Sequence, residues 1–349
     1  MKTNYFLITM LLLLSMTSCS TYYRMTSRVE RDGSMYREIY AQGDSAFIAG
    51  DKTHNPFLFQ PNANWQLVNL DSTIKFNFWG EEEKLNVKAC QKLSGVDGEY
   101  FTVDKGKEHL SAMAIPMERV KKSFRWFYTY YSYTETYPPF SVLTKIPLDH
   151  YLTSEEQTLW FQGNDPAFQG KNGTELCDLL SKIEPKAYLW LNHNLFAESY
   201  AAIDRLLPDH PFKNRFEAAR DSIFRLNQDK YDALDAKLPE MLDNYFKTDY
   251  FSRHGQRIDS LDDPELNHKL DSLDLYEITF QYELLLPGKI LSSNTRQTTA
   301  GKLSWQLDAY RFLPQDYVMT AQSRAINVWA FALTALLLLT ALYFIWKRK

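Results

Sequence analysis

The spacing of hydrophobic positions changes character several times along this chain. From about residue 22 to 137, apolar and polar residues alternate with period two, as half-buried strands do. Arg28-Val29-Glu30-Arg31, then Asp32-Gly33, then 34–40 (SMYREIY) predicts a hairpin, because Asp-Gly accepts the positive φ of a tight turn. Further strands are predicted at 65–70, 74–79, 85–93 and 100–103, with Glu81-Glu82-Glu83 as a turn between two of them. The run 124–137 (FRWFYTYYSYTETY) carries aromatic and β-branched residues on both faces. It predicts one long strand covered on each side. Pro138-Pro139 ends it.

Beyond those prolines the period becomes helical. Thr153-Ser154-Glu155-Glu156 is a capping box ahead of Leu159-Trp160-Phe161, and 163–173 is a polar loop. Thr174 can cap a helix through Leu176, Leu179, Leu180 and Ile183, with a kink or restart at Pro185 and a continuation over 188–207. Phe212, Phe216, Ala219 and Ile223 mark one amphipathic stripe, and Tyr231, Leu234, Leu238, Met241 and Tyr245 another. Residues 264–273 add a short helix in an acidic connector. Strand alternation then returns at 275–286 (LYEITFQYELLL), 289–293, 301–307 (GKLSWQL) and 317–323. These patterns predict an α+β fold. A mainly antiparallel β domain is built from 19–150 and 275–323, and it carries a helical insertion at 151–274.

The two ends differ from everything between them. Residues 326–346 (INVWAFALTALLLLTALYFIW) are long enough to span a bilayer, and the polar residues in them are Asn327, Thr334 and Thr340. Trp329, Tyr343 and Trp346 lie near the ends, at interfacial depth. The expectation is a transmembrane helix at 325–346 and a cytoplasmic tail at 347–349. The basic Lys347-Arg348-Lys349 opposes Arg324 alone on the other flank. At the other end Lys2 precedes a short apolar run at 5–14, and small residues then lead to Cys19. That sequence resembles a bacterial lipobox, which implies a signal peptide at 1–18 and acyl chains, palmitate among them, on Cys19. Together the ends predict a single-pass inner-membrane protein, lipid-anchored at its N-terminus, with its main body in the periplasm.

Composition narrows the function more than it defines it. A net charge of −4 argues against a nucleic-acid partner. Besides Cys19 only Cys90 and Cys177 are present, so no zinc knuckle or thioredoxin-like pair is available. They either close one disulfide or stay as two buried free thiols. No G-x-S-x-G elbow, H-E-x-x-H helix or P-loop occurs. The reading therefore assigns no catalytic residue, no metal site and no cofactor. His254, beside Arg253 and near Asp259, Asp262, Asp263 and Glu265, is the densest polar cluster and reads as a solvated loop. Arg125, Trp126, Tyr128 and Tyr130 form a candidate platform for a sugar or lipid, although central sheet packing accounts for the same pattern.

The segment 278–307, with its Pro287-Gly288-Lys289-Ile290, Ser292-Ser293-Asn294-Thr295 and Gly301-Lys302-Leu303-Ser304-Trp305, resembles the C-terminal part of LppM-type lipoprotein domains. That resemblance implies a membrane-proximal β domain with lipid or glycolipid binding. The whole chain also resembles lipoproteins of Bacteroidetes envelopes. Such bacteria O-glycosylate Asp-Ser/Thr-aliphatic triplets, which makes Ser260 and Ser272 candidate glycosylation sites. The expected function is non-enzymatic binding of a lipid, glycan or partner protein at the bilayer. The alternatives are an envelope hydrolase acting on glycans or peptides, and a structural subunit of an inner-membrane complex.

Overall fold

The computed structural model describes residues 21–78, 81–104, 115–139, 143–163, 172–228, 237–259, 263–271, 278–295, 297–299 and 301–348. They fall into two compact units, one drawn from 1–137, 277–309 and 318–349, the other from 138–276 and 310–317. The fold is mixed α+β with two mostly antiparallel sheets, as the alternation predicts. Cys19, Ser260 and Ser272 lie outside the described residues, as do 1–18.

The first unit contains strands β1 (Thr21–Val29), β2 (Met35–Ala41), β3 (Gln66–Phe78), β4 (Glu81–Leu93), β5 (Asp97–Glu99), β6 (Met117–Arg125), β7 (Tyr128–Tyr137), β8 (Ile278–Leu285), β9 (Lys289–Ser293), β10 (Gln297–Thr299), β11 (Lys302–Asp308) and β12 (Tyr317–Ile326). One sheet has the order β10-β11-β8-β1-β2-β4-β3 and the other β5-β6-β7-β12-β9. Strands β1 and β8 run parallel, which brings two distant parts of the chain side by side. The short helix α1 (Ser45–Ile48) is capped by Asp44.

The predicted hairpin forms between β1 and β2, with Val29 opposite Met35 and Gly33 at φ 95°. Asp32 holds the turn by accepting from the Ser34 N–H at 2.8 Å and the Ser34 hydroxyl at 2.6 Å. Elsewhere the strand predictions need correction. Residues 66–78 form one strand with a register shift between Asn69 and Ile74. Glu81-Glu82-Glu83 is not a turn but the start of β4, paired with Phe78, Asn77 and Phe76. Continuous ladder pairing there outweighs the poor strand propensity of glutamate.

The aromatic run 124–137 is likewise not one strand. Strand β6 ends at Arg125, Trp126-Phe127 turns, and β7 begins at Tyr128. Nor is β7 covered on both sides. Thr129, Tyr131, Tyr133, Glu135 and Tyr137 are buried, and the residues between them are half-exposed.

The second unit holds α2 (Ser154–Gln157), α3 (Gly173–Leu206), α4 (Lys213–Asn227), α5 (Leu238–Phe246), α6 (Tyr250–Arg253), α7 (Gly255–Asp259) and α8 (Pro264–Asp271). The capping box predicted at Thr153 is present. Helix α3 is capped two residues earlier than Thr174 suggests, with a capping box between Asn172 and Glu175. It also passes through Pro185 without a restart. An internal proline costs about 3 kcal/mol. Burial of Ile183, Trp190, Leu191 and Phe196 offsets that, at about 1.5–3 kcal/mol for each large apolar side chain. Phe196, Tyr200, Ile203, Phe216, Ile223, Phe224, Leu242, Phe246 and Phe251 form the core.

One helix among the described residues, α9 (Val328–Arg348), is long and apolar enough to cross a membrane, and only 6% of its most apolar window is buried. A single residue, Asn327, separates it from β12.

Candidate functional site

Three features of the first unit hold polar chemistry in unusual surroundings. The first lies between the two sheets. Strand β2 places Met35, Arg37, Ile39 and Ala41 on one face, so period two sends Arg37 into the core with three apolar neighbours. Arg37 is fully buried. Its Nη1 pairs with the Glu118 carboxylate, its Nε donates to Ser27 Oγ at 2.9 Å and its Nη2 donates to the Tyr282 hydroxyl at 3.0 Å. Glu135 lies 3.8 Å from Arg37 and accepts from the hydroxyls of Tyr133 and Tyr137.

Two buried carboxylates thus share one guanidinium. Burial pushes the Glu118 carboxyl up to about 7 against the opposing pull of Arg37, and Glu135 pushes it the same way. Glu118 Oε2 has no hydrogen-bond partner. Burial also raises the phenols of Tyr133, Tyr137 and Tyr282 well above their ordinary value. Beside this network lies an apolar slot of about 30 Å³, lined by residues that include Tyr23, Ile39, Phe101, Tyr137 and Phe280. Full burial among apolar side chains is what makes each of these polar partners matter.

The second feature is the junction of β12 with α9. The turn Trp126-Phe127 contains no glycine, asparagine or proline, and neither residue has a positive φ. It is held from outside instead. Asn327 Nδ2 donates to the carbonyls of Arg125 and Trp126, each at 3.1 Å, and the Asn327 backbone N–H donates to Phe127 O at 2.9 Å. Asn327 Oδ1 accepts from Thr129 Oγ1 at 2.9 Å. The hairpin tip then continues along the helix. Phe124 stacks on Trp329 at 6.0 Å, and Phe127 packs on Phe331 at 4.6 Å. Trp126 Nε1 donates to Thr334 Oγ1 at 2.8 Å. Thr334 lies seven residues past Asn327, so the indole reaches about 10 Å along the helix.

The candidate platform residues are therefore brought together, but as a collar around the start of α9. Arg125 lies over the Tyr130 ring, Trp126 is on the helix, and Tyr128 sits between Phe331 and Arg324.

The third feature is a concave pocket of about 560 Å³ beside that collar. Arg31 from the β1–β2 turn, Lys122 and Phe124 from β6, Tyr131 from β7, and Ile326 to Trp329 line it. The Tyr131 hydroxyl donates to Arg31 O at 2.7 Å, which ties the β1–β2 turn to the second sheet. Gly33 packs beside the Lys122 stem, where a Cβ would make an ordinary 3.6 Å contact; its φ of +95° is what calls for glycine.

Several polar groups of the second unit form structural pairs, although His193 Nε2 and Glu198 Oε1 are buried without a hydrogen-bond partner among the described residues. Asp263, one of the acidic residues near His254, makes two 2.8 Å bonds to Arg205. Glu198 is buried and paired with Lys269 at 2.8 Å. His193 stacks on Phe224 at 4.0 Å, and its Nδ1 is 2.7 Å from the Tyr151 hydroxyl. Burial lowers its pKa. No group of three His, Cys, Asp or Glu among the described residues could hold a metal.

The disulfide alternative fails in this structure. Cys90 and Cys177 belong to different units and both are free thiols. Cys90 is buried on β4, and Cys177 is exposed on α3, so only one is a buried thiol.

No family model matches the chain, and no curated protein matches it. Among solved structures, the NMR structure of the folded domain of the LppM protein of Mycobacterium tuberculosis aligns with 88% of this chain and 91% of that one. The identity is 7% and the TM-score 0.23. That is a weak structural resemblance, and at such a score it carries no functional information.

Proposed function

We propose that this chain is a membrane-tethered envelope lipoprotein that binds a ligand at the bilayer surface and does not catalyse a reaction. In this reading Cys19 carries the acyl chains, α9 spans the inner membrane once, and the body lies in the periplasm. The observation that carries it is the grip of the β6–β7 hairpin on α9. Phe124, Trp126 and Trp329 are 56%, 43% and 54% exposed, around the first turns of an apolar helix. Amphipathic rings in that position favour the interface between headgroups and hydrocarbon. Trp126 and Thr334 satisfy each other's polar atoms at a depth where water is scarce. Binding is favoured over hydrolysis because the facing carboxylates, Glu118 and Glu135, are sealed in the core and paired with Arg37.

Cys177 offers the test, because it is exposed and free. In spheroplasts, a membrane-impermeant maleimide should label Cys177, and the chain should stay in the membrane pellet after alkaline carbonate washing. The intact mass should exceed that of the chain from residue 19 by acyl groups, and Cys19→Ser should abolish the excess. Labelling only after lysis would overturn the periplasmic placement, and release by carbonate would overturn the spanning helix.

A further inference from the structure

We infer that the 560 Å³ pocket at the β12–α9 junction is a headgroup site for an anionic phospholipid of the same bilayer that α9 enters. This rests on the membrane-tethered reading and names its ligand. Three observations converge on it. The first is charge. Arg31 and Lys122 both line the pocket, no carboxylate lines it, and neither cation is ion-paired among the described residues. Some sheet cations of this unit are matched, as Arg24 and Lys302 are by Glu283 and Lys88 is by Glu38, and others, such as Lys92, Lys121 and Lys289, have no ion pair among the described residues; Arg31 and Lys122 are set apart by lining one concavity together. Two unmatched cations in one concavity favour an anion between them.

The second observation is shape. The volume falls within the range of about 300–1,000 Å³ usual for small-ligand sites. Its lining combines the two cations with the apolar side chains of Phe124, Ile326, Val328 and Trp329. That combination fits a phosphodiester whose glycerol and acyl roots continue along an apolar surface. The pocket is also built rather than incidental. The Tyr131 bond to Arg31 O fixes one rim, and Asn327 fixes the other.

The third observation is position. The pocket includes Val328 and Trp329, the first residues of α9, so its mouth lies where phosphates of the adjoining leaflet lie. Free phosphate offers the same charge without the apolar roots. The lipid is favoured because half of the lining is apolar and continuous with the helix.

The full chain would be placed in nanodiscs of mixed phosphatidylcholine and phosphatidylglycerol, and the retained lipids would be counted by native mass spectrometry. The expected result is enrichment of phosphatidylglycerol that inorganic phosphate does not displace. Each cation near an anionic surface is worth about a fivefold preference, so Arg31→Gln with Lys122→Gln should reduce the enrichment roughly twenty-five-fold. Arg31→Lys should keep most of it. Lys121→Gln should keep it all, since neighbouring strand residues face opposite ways. Near-UV circular dichroism would establish that the variants are folded. Equal retention of the two lipids by wild type, full retention by the double variant, or displacement by phosphate would each overturn the inference. Failure of the chain to enter nanodiscs would instead overturn the membrane-tethered reading.

Discussion

Replacing Arg37 by methionine tests the buried network directly. Methionine matches much of the arginine stem but removes the charge facing Glu118 and Glu135. Arg37 is fully buried and bonds Glu118, Ser27 and Tyr282, and no other cation among the described residues pairs with Glu118 or Glu135. Breaking a buried ion pair from one side costs about 3–5 kcal/mol. An ordinary domain is stable by about 5–15 kcal/mol, so Arg37→Met should consume a large share of that. Adding Glu118→Gln removes one of the stranded charges and should recover about half of the loss.

The same network predicts a pH dependence. Glu118 moves from an ordinary value of 4.5 to about 7 in the folded chain, chiefly because burial disfavours its charged form. Its contribution to stability is therefore complete below 4.5 and is lost as pH rises through about 7. The amount is roughly 3 kcal/mol. Guanidinium unfolding of the full chain in non-ionic micelles, followed by tryptophan fluorescence, would measure both effects. Wild type should lose stability between pH 5 and pH 8, and Glu118→Gln should flatten that slope. The reasoning is refuted if Arg37→Met unfolds within about 1 kcal/mol of wild type, or if wild type and Glu118→Gln share one pH slope.

Other perturbations give equally definite outcomes. Asn327→Ala removes three side-chain hydrogen bonds at the β6–β7 turn, about 2–3 kcal/mol, so amide exchange at Trp126 and Phe127 should accelerate at least thirty-fold; unchanged exchange would show that the turn holds itself. At Gly288, φ is +82° and a Cβ would meet Arg324 O at 2.2 Å, so Gly288→Ala should cost at least about 2 kcal/mol in the same unfolding assay. Under native conditions maleimide should label Cys177 rapidly and Cys90 only after unfolding, and reduction should leave the gel mobility unchanged; a shift on reduction would reveal a disulfide.

The sequence carried more of the strands than of the site. Asp32-Gly33 declared its hairpin because the information sits in the turn itself, where glycine tolerates φ 95°. The hairpin at Trp126-Phe127 declared nothing, because its stabilising groups belong to Asn327, two hundred residues away. Asn327 in turn read as a blemish in an apolar helix, whereas it ends one element and holds another. Pro185 pointed to a kink or a restart; the helix does not restart there, because burial of the following helical face outweighs the local cost of proline. The buried network was legible in part. Arg37 alternates with Met35 and Ile39, and Glu135 with Tyr133 and Tyr137, so period two places both charges inside. What alternation lacks is the pairing of two sheets that sets Arg37 against Glu118. The pocket was less legible still, since Arg31, Lys122 and Trp329 come from three separate parts of the chain.

The single residue between β12 and α9 has a mechanical consequence. A flexible linker would let the helix lean without disturbing the body. Here Asn327 bonds both the strand side and the hairpin, so strand and helix tilt together. The 21-residue helix is about 31 Å long, close to the thickness of a hydrocarbon core. A thinner bilayer tilts such a helix, and each degree of lean is passed to the second sheet as a rotation against the membrane plane. In the membrane-tethered reading proposed above, membrane thickness thereby becomes a variable that sets how deeply the aromatic hairpin tip is immersed.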